Sequence, residues 1–460
     1  MIVTASILVS SYAGFYLLRR RLDVLSKLAL RSVHLLDGLL ESGDEDEKLE
    51  ALEDRTLHVL LSLLGLLVLA LAVALITAAM PWAVGQGLGV PDAMSAFGTW
   101  TGILALSIGG TLSFVLPEWK RSEGAYSPLD QLLHRIALDH PTLHRWLHDR
   151  EVRRWRTRGG EREPLFLLVT GLARAGTTSL LQRLVETGAF SSLNYANMPF
   201  VMAPGTWRRF YKPKVGELEE RSHGDGILVG ADSAEALEEP FFLAHTGGAF
   251  VAEDHLVPHR VDAELYGRYL DYQGLVRNPG TTYLAKNNNA LLRYPSLREH
   301  NRDFTAVLMF REPLAHAASL LDMHRRYTAM QDGDPFVRTY MDWLAHHEFG
   351  GGQKPFRFGS APALGDPETL DYWLDRWTDY YRHALTVDGH RLLLVSHATW
   401  SASPTAVLKA VLAETGIEAE PPPMKPHTRK RDVSDTPDPK RLEAARAVYN
   451  QLLERALHLD

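Results

Sequence analysis

Residues 59–80 read VLLSLLGLLVLALAVALITAAM, 22 consecutive positions without a charge. As an α-helix such a run extends about 33 Å, enough to cross ~30 Å of hydrocarbon. It constrains the fold more than any other segment, because in lipid every backbone polar group must be satisfied inside the helix itself. A hairpin buried in a soluble core is the alternative. Residues 97–116, FGTWTGILALSIGGTLSFVL, form a second uncharged run, whose Gly, Ser and Thr suit close helix–helix packing. Pro81, Gly85, Gly87, Gly89 and Pro91 lie between the two runs and favour a turn. Residues 2–18 are a third apolar stretch, followed rather than preceded by Arg19, Arg20 and Arg21, the reverse of a signal peptide. This fits a span with its N-terminus outside, or an interfacial helix; the span is the preferred reading.

The charges orient these spans. Basic residues cluster after the first stretch (Arg19–Arg21, Lys27, Arg31) and after the last (Lys120, Arg121, Arg135, Arg145, and 150–158), whereas the connection between the two strong runs holds only Asp92. The positive-inside rule then places both basic segments, and the C-terminal bulk, in the cytoplasm. Residues 22–40 have apolar positions at helical spacing, and 41–55 are acidic, as in a solvated helix or loop. Residues 134–162 mix Trp146 and Trp155 with many Arg, as in a segment lying on an anionic lipid surface or a simple basic linker. The expected organisation is a membrane region over 1–120, a basic juxtamembrane linker over 121–163 and a soluble domain over 164–460.

A net charge of −7 gives no case for a nucleic-acid partner. With no cysteine, disulfides and thiolate metal sites are excluded. The 20 histidines are scattered without an HExxH pattern, and no metal is expected.

From Pro164 the pattern becomes that of an α/β domain. The apolar runs 165–170, 304–310 and 391–396 suit strands buried on both faces. Helical patterns follow over 178–186, 314–327 and 404–414, with further helices over 369–386 and 440–458. Alternating strands and helices imply a parallel sheet with helices on both faces.

The first strand runs into Gly171–Thr178, GLARAGTT. Gly171, Gly176 and Thr178 match the ATPase loop GxxxxGK[ST], but Thr177 stands where that loop has its lysine. No acidic strand end completes a magnesium site. The loop should therefore cradle phosphate with backbone N–H groups and a helix N-terminus, while Arg174 supplies a cation from another position.

PLFLLVTGLARAGTTSLL resembles the 5'-phosphosulfate loop of the sulfotransferase superfamily, in which a strand runs into a sequence like G-x-P-R-S-G-T-T. Gly171, Arg174, Gly176, Thr177 and Thr178 match, while Ala173 and Ala175 depart from the usual Pro and Ser. The resemblance extends to LMFREPLAHAAS, with Arg311 and Ser319 at the positions that bind the donor's 3'-phosphate. It extends also to YLAKNNN over 283–289, where Lys286 would meet the bridging oxygen or sulfuryl group and Asn288 replaces the usual Pro. Arg429 and Lys430 fall where the family has a late basic loop over the 3'-phosphate; a solvated basic loop is the alternative. The resemblance covers 164–442 and implies a P-loop-like parallel sheet, 3'-phosphoadenosine-5'-phosphosulfate as co-substrate, and donor contacts from Gly171, Arg174, Ala175, Gly176, Thr177 and Thr178. It implies sulfuryl transfer to a hydroxyl acceptor; the membrane region favours a glycan or lipid-linked head group, at a bacterial inner membrane.

An acceptor-side base does not stand in its usual place, since SSLNYANMPF after the first helix holds no carboxylate. The next polar region, 221–241, offers His223, then Glu239 and Glu238, and its HGDG and EALEE resemble stretches in bacterial relatives. His223 has the ordinary pKa for base work at neutral pH, and a desolvated Glu could serve as well. Two other functions compete: a membrane-associated P-loop kinase or NTPase, and a non-catalytic nucleotide-binding membrane protein.

Overall fold

The computed structural model describes residues 1–41, 45–90, 92–115, 128–212, 219–220, 228–230, 232–359, 365–426, 433 and 435–459. The chain divides into two compact units, Met1–Ile136 and Ala137–Asp460.

The first unit is helical. Its main helices are α1 (Ile2–Arg20), α2 (Leu22–Leu40), α3 (Glu45–Gly87) and α4 (Trp100–Val115), and a further helix begins at Pro128. The 22-residue run lies inside α3, a 43-residue helix that also takes in the acidic segment before it. Large apolar side chains of α3 point outward, among them Leu60, Leu64, Leu67, Leu71 and Leu75. By length and composition, Ile2–Arg20 and the Ala51–Gly87 part of α3 can cross a membrane; Trp100–Val115 is apolar but shorter. The second apolar run is divided, because a 3₁₀ turn over Ala93–Gly98 precedes α4 and the Thr99 hydroxyl accepts Gly102 N–H at 3.1 Å. Residue 116 lies outside the described residues.

Small residues let α1 pack closely on its neighbours. Ser10 Oγ donates to the Thr77 carbonyl of α3 at 2.8 Å, and Arg19 Nη1 to the Ser113 carbonyl of α4 at 2.6 Å. A Cβ on Gly109 of α4 would collide with Ser11 Oγ and the Leu8 carbonyl of α1. Close approach of this kind is what an interface of small residues gives.

The second unit is α/β. Its sheet holds five parallel strands: β1 (Phe166–Thr170), β2 (Phe190–Ser191), β3 (Thr282–Lys286), β4 (Thr305–Phe310) and β5 (Leu392–Ser396), in the order β2-β3-β1-β4-β5. Every residue of β1 and β4 is buried, because helices cover both faces. Alternate residues serve the two sides. Leu167, Val169, Val307 and Met309 pack with Leu180, Leu181 and Leu184 of α6 (Thr177–Val185) and with Val407 and Val411 of α11 (Pro404–Thr415). Phe166, Leu168, Leu308 and Phe310 pack on the other face with Tyr269 of α8 (Ala263–Val276) and Trp377 and Tyr381 of α10 (Leu370–Ala384). Helices α7 (Glu239–Thr246), α9 (Pro313–Gly333) and α12 (Pro439–Glu454) also belong to the unit, with shorter helices over Pro204–Trp207, Tyr294–His300, Pro335–Trp343 and His397–Ala402.

The second half of the basic segment expected over 121–163 is structured. From residue 137 onward it belongs to the α/β unit, through α5 (Pro141–Arg156). Glu151 is buried and accepts the backbone N–H groups of Gly205 and Thr206 at 2.6 and 2.8 Å. Arg145 Nη1 donates to the Ala244 carbonyl at 2.7 Å, and Arg156 and Arg162 both pair with Asp271 of α8. These arginines are engaged with protein groups of this unit, and the residues α5 buries are polar, which hid its inner face from a hydropathy pattern.

Overpacking a tight helix contact costs about 1–3 kcal/mol. Gly109→Val should therefore lower the thermal midpoint of the purified chain by several degrees. Gly87→Ala, with nothing within 4 Å of the added methyl, should leave it unchanged.

Candidate functional site

The carboxyl ends of β3, β1, β4 and β5 lie side by side, and in open α/β sheets ligands bind at this edge. The register places Val169 of β1 beside Lys286, the last residue of β3, and Thr170 beside Leu308 of β4. The loop 171–176 leaves β1 at this edge, Arg311 follows β4, and His397 follows β5.

The loop's path is forced at its first residue. Gly171 has φ +141°, and a Cβ there would collide with the Met309 carbonyl of β4. Gly176 has φ +102°; a Cβ on it would approach His397 Cδ2 to 3.1 Å. Between them Arg174 adopts φ +71°, a left-handed conformation costly for a residue with a side chain. The middle of the loop is tied down from α9 and α10. His316 Nε2 bonds the Ala173 carbonyl at 2.8 Å, and Trp377 Nε1–H donates to His316 Nδ1 at 3.1 Å. Burial pushes His316 down to about 3, so it is neutral, with its one proton on Nε2. Thr177 and Thr178 are buried at the start of α6, whose first N–H groups have no partner within the helix.

Arg174 Nε reaches Ser319 Oγ of α9 at 3.5 Å. The loop and the R-x7-S element are thus brought together. Ser319 is buried, and Arg311 stands two residues before α9 begins at Pro313.

On the other side of β1, Lys286 is buried and paired with Glu235 at 3.1 Å. Glu235 also accepts Ala236 N–H at 3.0 Å and the Tyr195 hydroxyl at 3.3 Å. Asn288, in the place of the usual Pro, donates to Glu348 at 2.8 Å, and its carbonyl accepts the Tyr380 hydroxyl at 3.3 Å. Burial raises the Glu348 carboxyl, but His346, the Asn288 donor and Lys286 together hold it below the usual range. A cavity of about 10 Å³, room for about one water, opens among Lys286, Asn287, Asn288, His346 and Glu348.

The two expected carboxylates have structural partners. Glu238 accepts Asn287 Nδ2 at 2.6 Å and the hydroxyls of Tyr269 and Tyr283 at 2.9 and 3.1 Å. Glu239 forms a two-pronged ion pair with Arg293, at 2.7 and 2.9 Å, and the guanidinium lies 3.7 Å from the Phe242 ring centre. Both carboxylates are buried. His223, Arg429 and Lys430 lie outside the described residues. Sequence reasoning missed Glu235, although it stands three residues before Glu238 in the same EALEE run. It also missed His316 and Trp377, which carry no local signal beyond being polar residues at helical spacing.

No protein-family model matches the chain, and no curated protein matches it. It is similar to the solved structure of sulfotransferase STF1 from Mycobacterium tuberculosis, at 13% identity over 73% of this chain and 87% of that one, with a TM-score of 0.37. Sulfotransferase STF9 from Mycobacterium avium gives 12% identity over 73% and 80%, with a TM-score of 0.36. A sulfotransferase from Alicyclobacillus acidocaldarius gives 14% over 63% and 96%, with a TM-score of 0.32. At such values a likeness carries no argument, and what the site can do follows from its own geometry.

Burial is the main reason the Glu238 carboxyl lies above the ordinary range; the Asn287 and Tyr269 donors oppose the shift, and the neighbouring Glu239 charge adds to it. The folded chain then holds this proton at a pH where the unfolded chain has released it. This group's contribution to stability is present below the unfolded pKa and is lost as pH rises through the folded one. Glu238→Gln should flatten that decline, measured as unfolding free energy against pH from 4 to 8. An unchanged pH profile would show that Glu238 is ionised like an ordinary carboxylate.

Proposed function

We propose that this protein is a membrane-anchored member of the sulfotransferase superfamily, transferring a sulfuryl group from 3'-phosphoadenosine-5'-phosphosulfate to a hydroxyl acceptor. The observation that carries this reading is the Arg174–Ser319 contact. It brings a loop without a lysine against the R-x7-S element that follows the neighbouring strand, an arrangement suited to two phosphate groups.

A kinase loop would place a lysine on the outer phosphates and a metal carboxylate nearby. Here Thr177 fills the lysine position, and cations come from Arg174, Arg311 and Lys286 at three strand ends. That distribution suits a donor with phosphate at both the 5' and 3' positions. Backbone N–H groups of 175–178 would receive the 5'-phosphate, and Arg311 with Ser319 the 3'-phosphate. In the transfer, the bond between sulfur and the bridging oxygen breaks as the acceptor oxygen bonds to sulfur. Arg174 and Lys286 would offset the charge that builds on the bridging and sulfuryl oxygens. The acceptor proton needs a base. Glu235, paired with Lys286, is the carboxylate beside that lysine, and it takes this role in preference to Glu238 and Glu239, whose partners hold them in the scaffold. His223 remains a second candidate for the same proton.

The outward-facing leucines of α3 support a bilayer-embedded first unit, and the distribution of basic residues supports a cytoplasmic catalytic unit. A glycan or lipid-linked head group is the acceptor class that this location favours.

The test is transfer of labelled sulfate from the donor into total membrane lipid and glycan extracts. Arg174→Ala and Arg311→Ala should each lower transfer at least 100-fold, about 2.7 kcal/mol of transition-state stabilisation. Arg311→Ala should also weaken binding of adenosine 3',5'-bisphosphate. Glu235→Gln should lower kcat while leaving bisphosphate binding intact. Magnesium-dependent phosphate transfer from ATP in place of sulfate transfer would favour the kinase reading, and bisphosphate binding with no turnover the non-catalytic one.

A further inference from the structure

On the α5 side of the second unit, His148 and Asp149 of α5 face His245 of α7. One potential ligand atom from each of the three lies within 4.8 Å of the others. Two of these groups have a buried polar atom without a use. His148 is 1% exposed, and its Nδ1 has no hydrogen-bond partner. His245 Nδ1 bonds the Phe241 carbonyl at 2.9 Å, which fixes the proton there and leaves Nε2 as a lone pair, again buried and without a partner.

An orphaned buried acceptor costs about 1–3 kcal/mol. Two on adjacent imidazoles need a reason. We propose that His148, His245 and Asp149 form a binding site for a zinc-class divalent cation that fastens α5 to α7.

The surroundings meet the requirements of such a site. Metal-bound histidines usually donate their second ring N–H to a carbonyl or carboxylate, which orients the ring. His245 does so to Phe241, and His148 interacts with the Met202 carbonyl. The rings are held nearly perpendicular, 86° apart with centres 5.3 Å apart, by packing against Phe241. Asp149 accepts Arg268 Nη1 through Oδ1 at 2.9 Å and can offer its other oxygen to the ion. Arg268 is also bonded to Glu264, so its charge is shared between two carboxylates. Two imidazoles and one carboxylate are a common zinc ligand set with an open fourth position. Ligand atoms around tetrahedral zinc stand roughly 3.4 Å apart, given bonds of about 2.0–2.1 Å. The three groups therefore need to close by up to about 1.4 Å.

The site is separate from the sheet edge described above, and its role is structural. Helix α7 begins at Glu239, whose partner is Arg293, so an ion at its other end would hold the whole helix in place.

The purified full chain, stripped with chelator and reloaded with zinc or cobalt alone, is the test. The expected result is one tightly held ion per chain by elemental analysis, visible cobalt bands of nitrogen and oxygen ligation, and a zinc-dependent rise in thermal midpoint. His245→Gln and Asp149→Asn should each weaken binding at least tenfold and abolish the rise. Asp149 is half-exposed, so its variant keeps the test valid if His245→Gln fails to fold. The proposal is overturned by an absence of tight uptake in the wild-type chain. Uptake at full strength in both variants, which would place the ion on other histidines, overturns it as well.

Discussion

The backbone of Gly171 runs against the Met309 carbonyl, and the rest of the site follows from that contact. Strand β1 lies between β3 and β4, so the chain leaving it has no room for a side chain until it clears the sheet. Glycine alone accepts both the space and the φ of +141°. The chain then turns through a left-handed Arg174, which costs about 1–2 kcal/mol. That cost is tolerable because the loop is fixed on several sides. Met309 blocks one side, and Trp377 holds His316, which in turn holds the Ala173 carbonyl. Tyr381 donates to Met309 itself at 2.8 Å. The strained residue is the one whose side chain reaches Ser319, so the strain aims a cation at the second element.

How much of this was legible depended on where each residue's partners lay in the sequence. The apolar runs at 165–170, 304–310 and 391–396 became β1, β4 and β5 to within a residue, because burial on both faces leaves no polar position to blur the pattern. The glycine loop was legible for a similar reason: its constraint is local. Helix α5 was not. Its buried positions are His144, His148 and Glu151, all polar, preceded by the buried His140, and its Arg156 is paired with a carboxylate more than a hundred positions away. A pattern built on hydropathy counts every one of these as exposed. The acidic segment before 59, expected as a solvated helix or loop, is helical from Glu45 and continuous with the apolar run in α3.

The run 235–239 shows the same limit within five residues. Three glutamates stand there, and the chain gives them three different fates. Glu235 precedes α7 on an irregular segment and meets Lys286; Glu238 stands just before that helix and is held by Asn287 and two tyrosines; Glu239 is locked to Arg293. Each deciding partner comes from some fifty residues downstream, at the end of β3 or just beyond it. Nothing in the spacing of the glutamates distinguishes them. Removing one partner of a buried pair such as Glu239–Arg293 is costly, about 3–5 kcal/mol, because the other charge stays behind. The two buried carboxylates most visible in the sequence are therefore those with the least freedom to exchange protons with a substrate.

A loop that carries its own lysine can bind a polyphosphate by itself. This loop has a threonine at that position, and the cations around it stand on β3, on the segment after β4 and on the left-handed residue of the loop. Their positions relative to one another are set by strand register, with Val169 beside Lys286 and Thr170 beside Leu308. An anion bound here would be held by the sheet edge as a whole, and a one-residue slip of either neighbouring strand would move a cation by more than 3 Å. Charge interactions weaken with distance, so such a slip costs binding even with the loop intact. On the proposed reading the three cations must face one donor at both of its ends. The burial of every residue of β1 and β4 opposes such a slip, so the hydrophobic core on both faces of the sheet would support the proposed anion site.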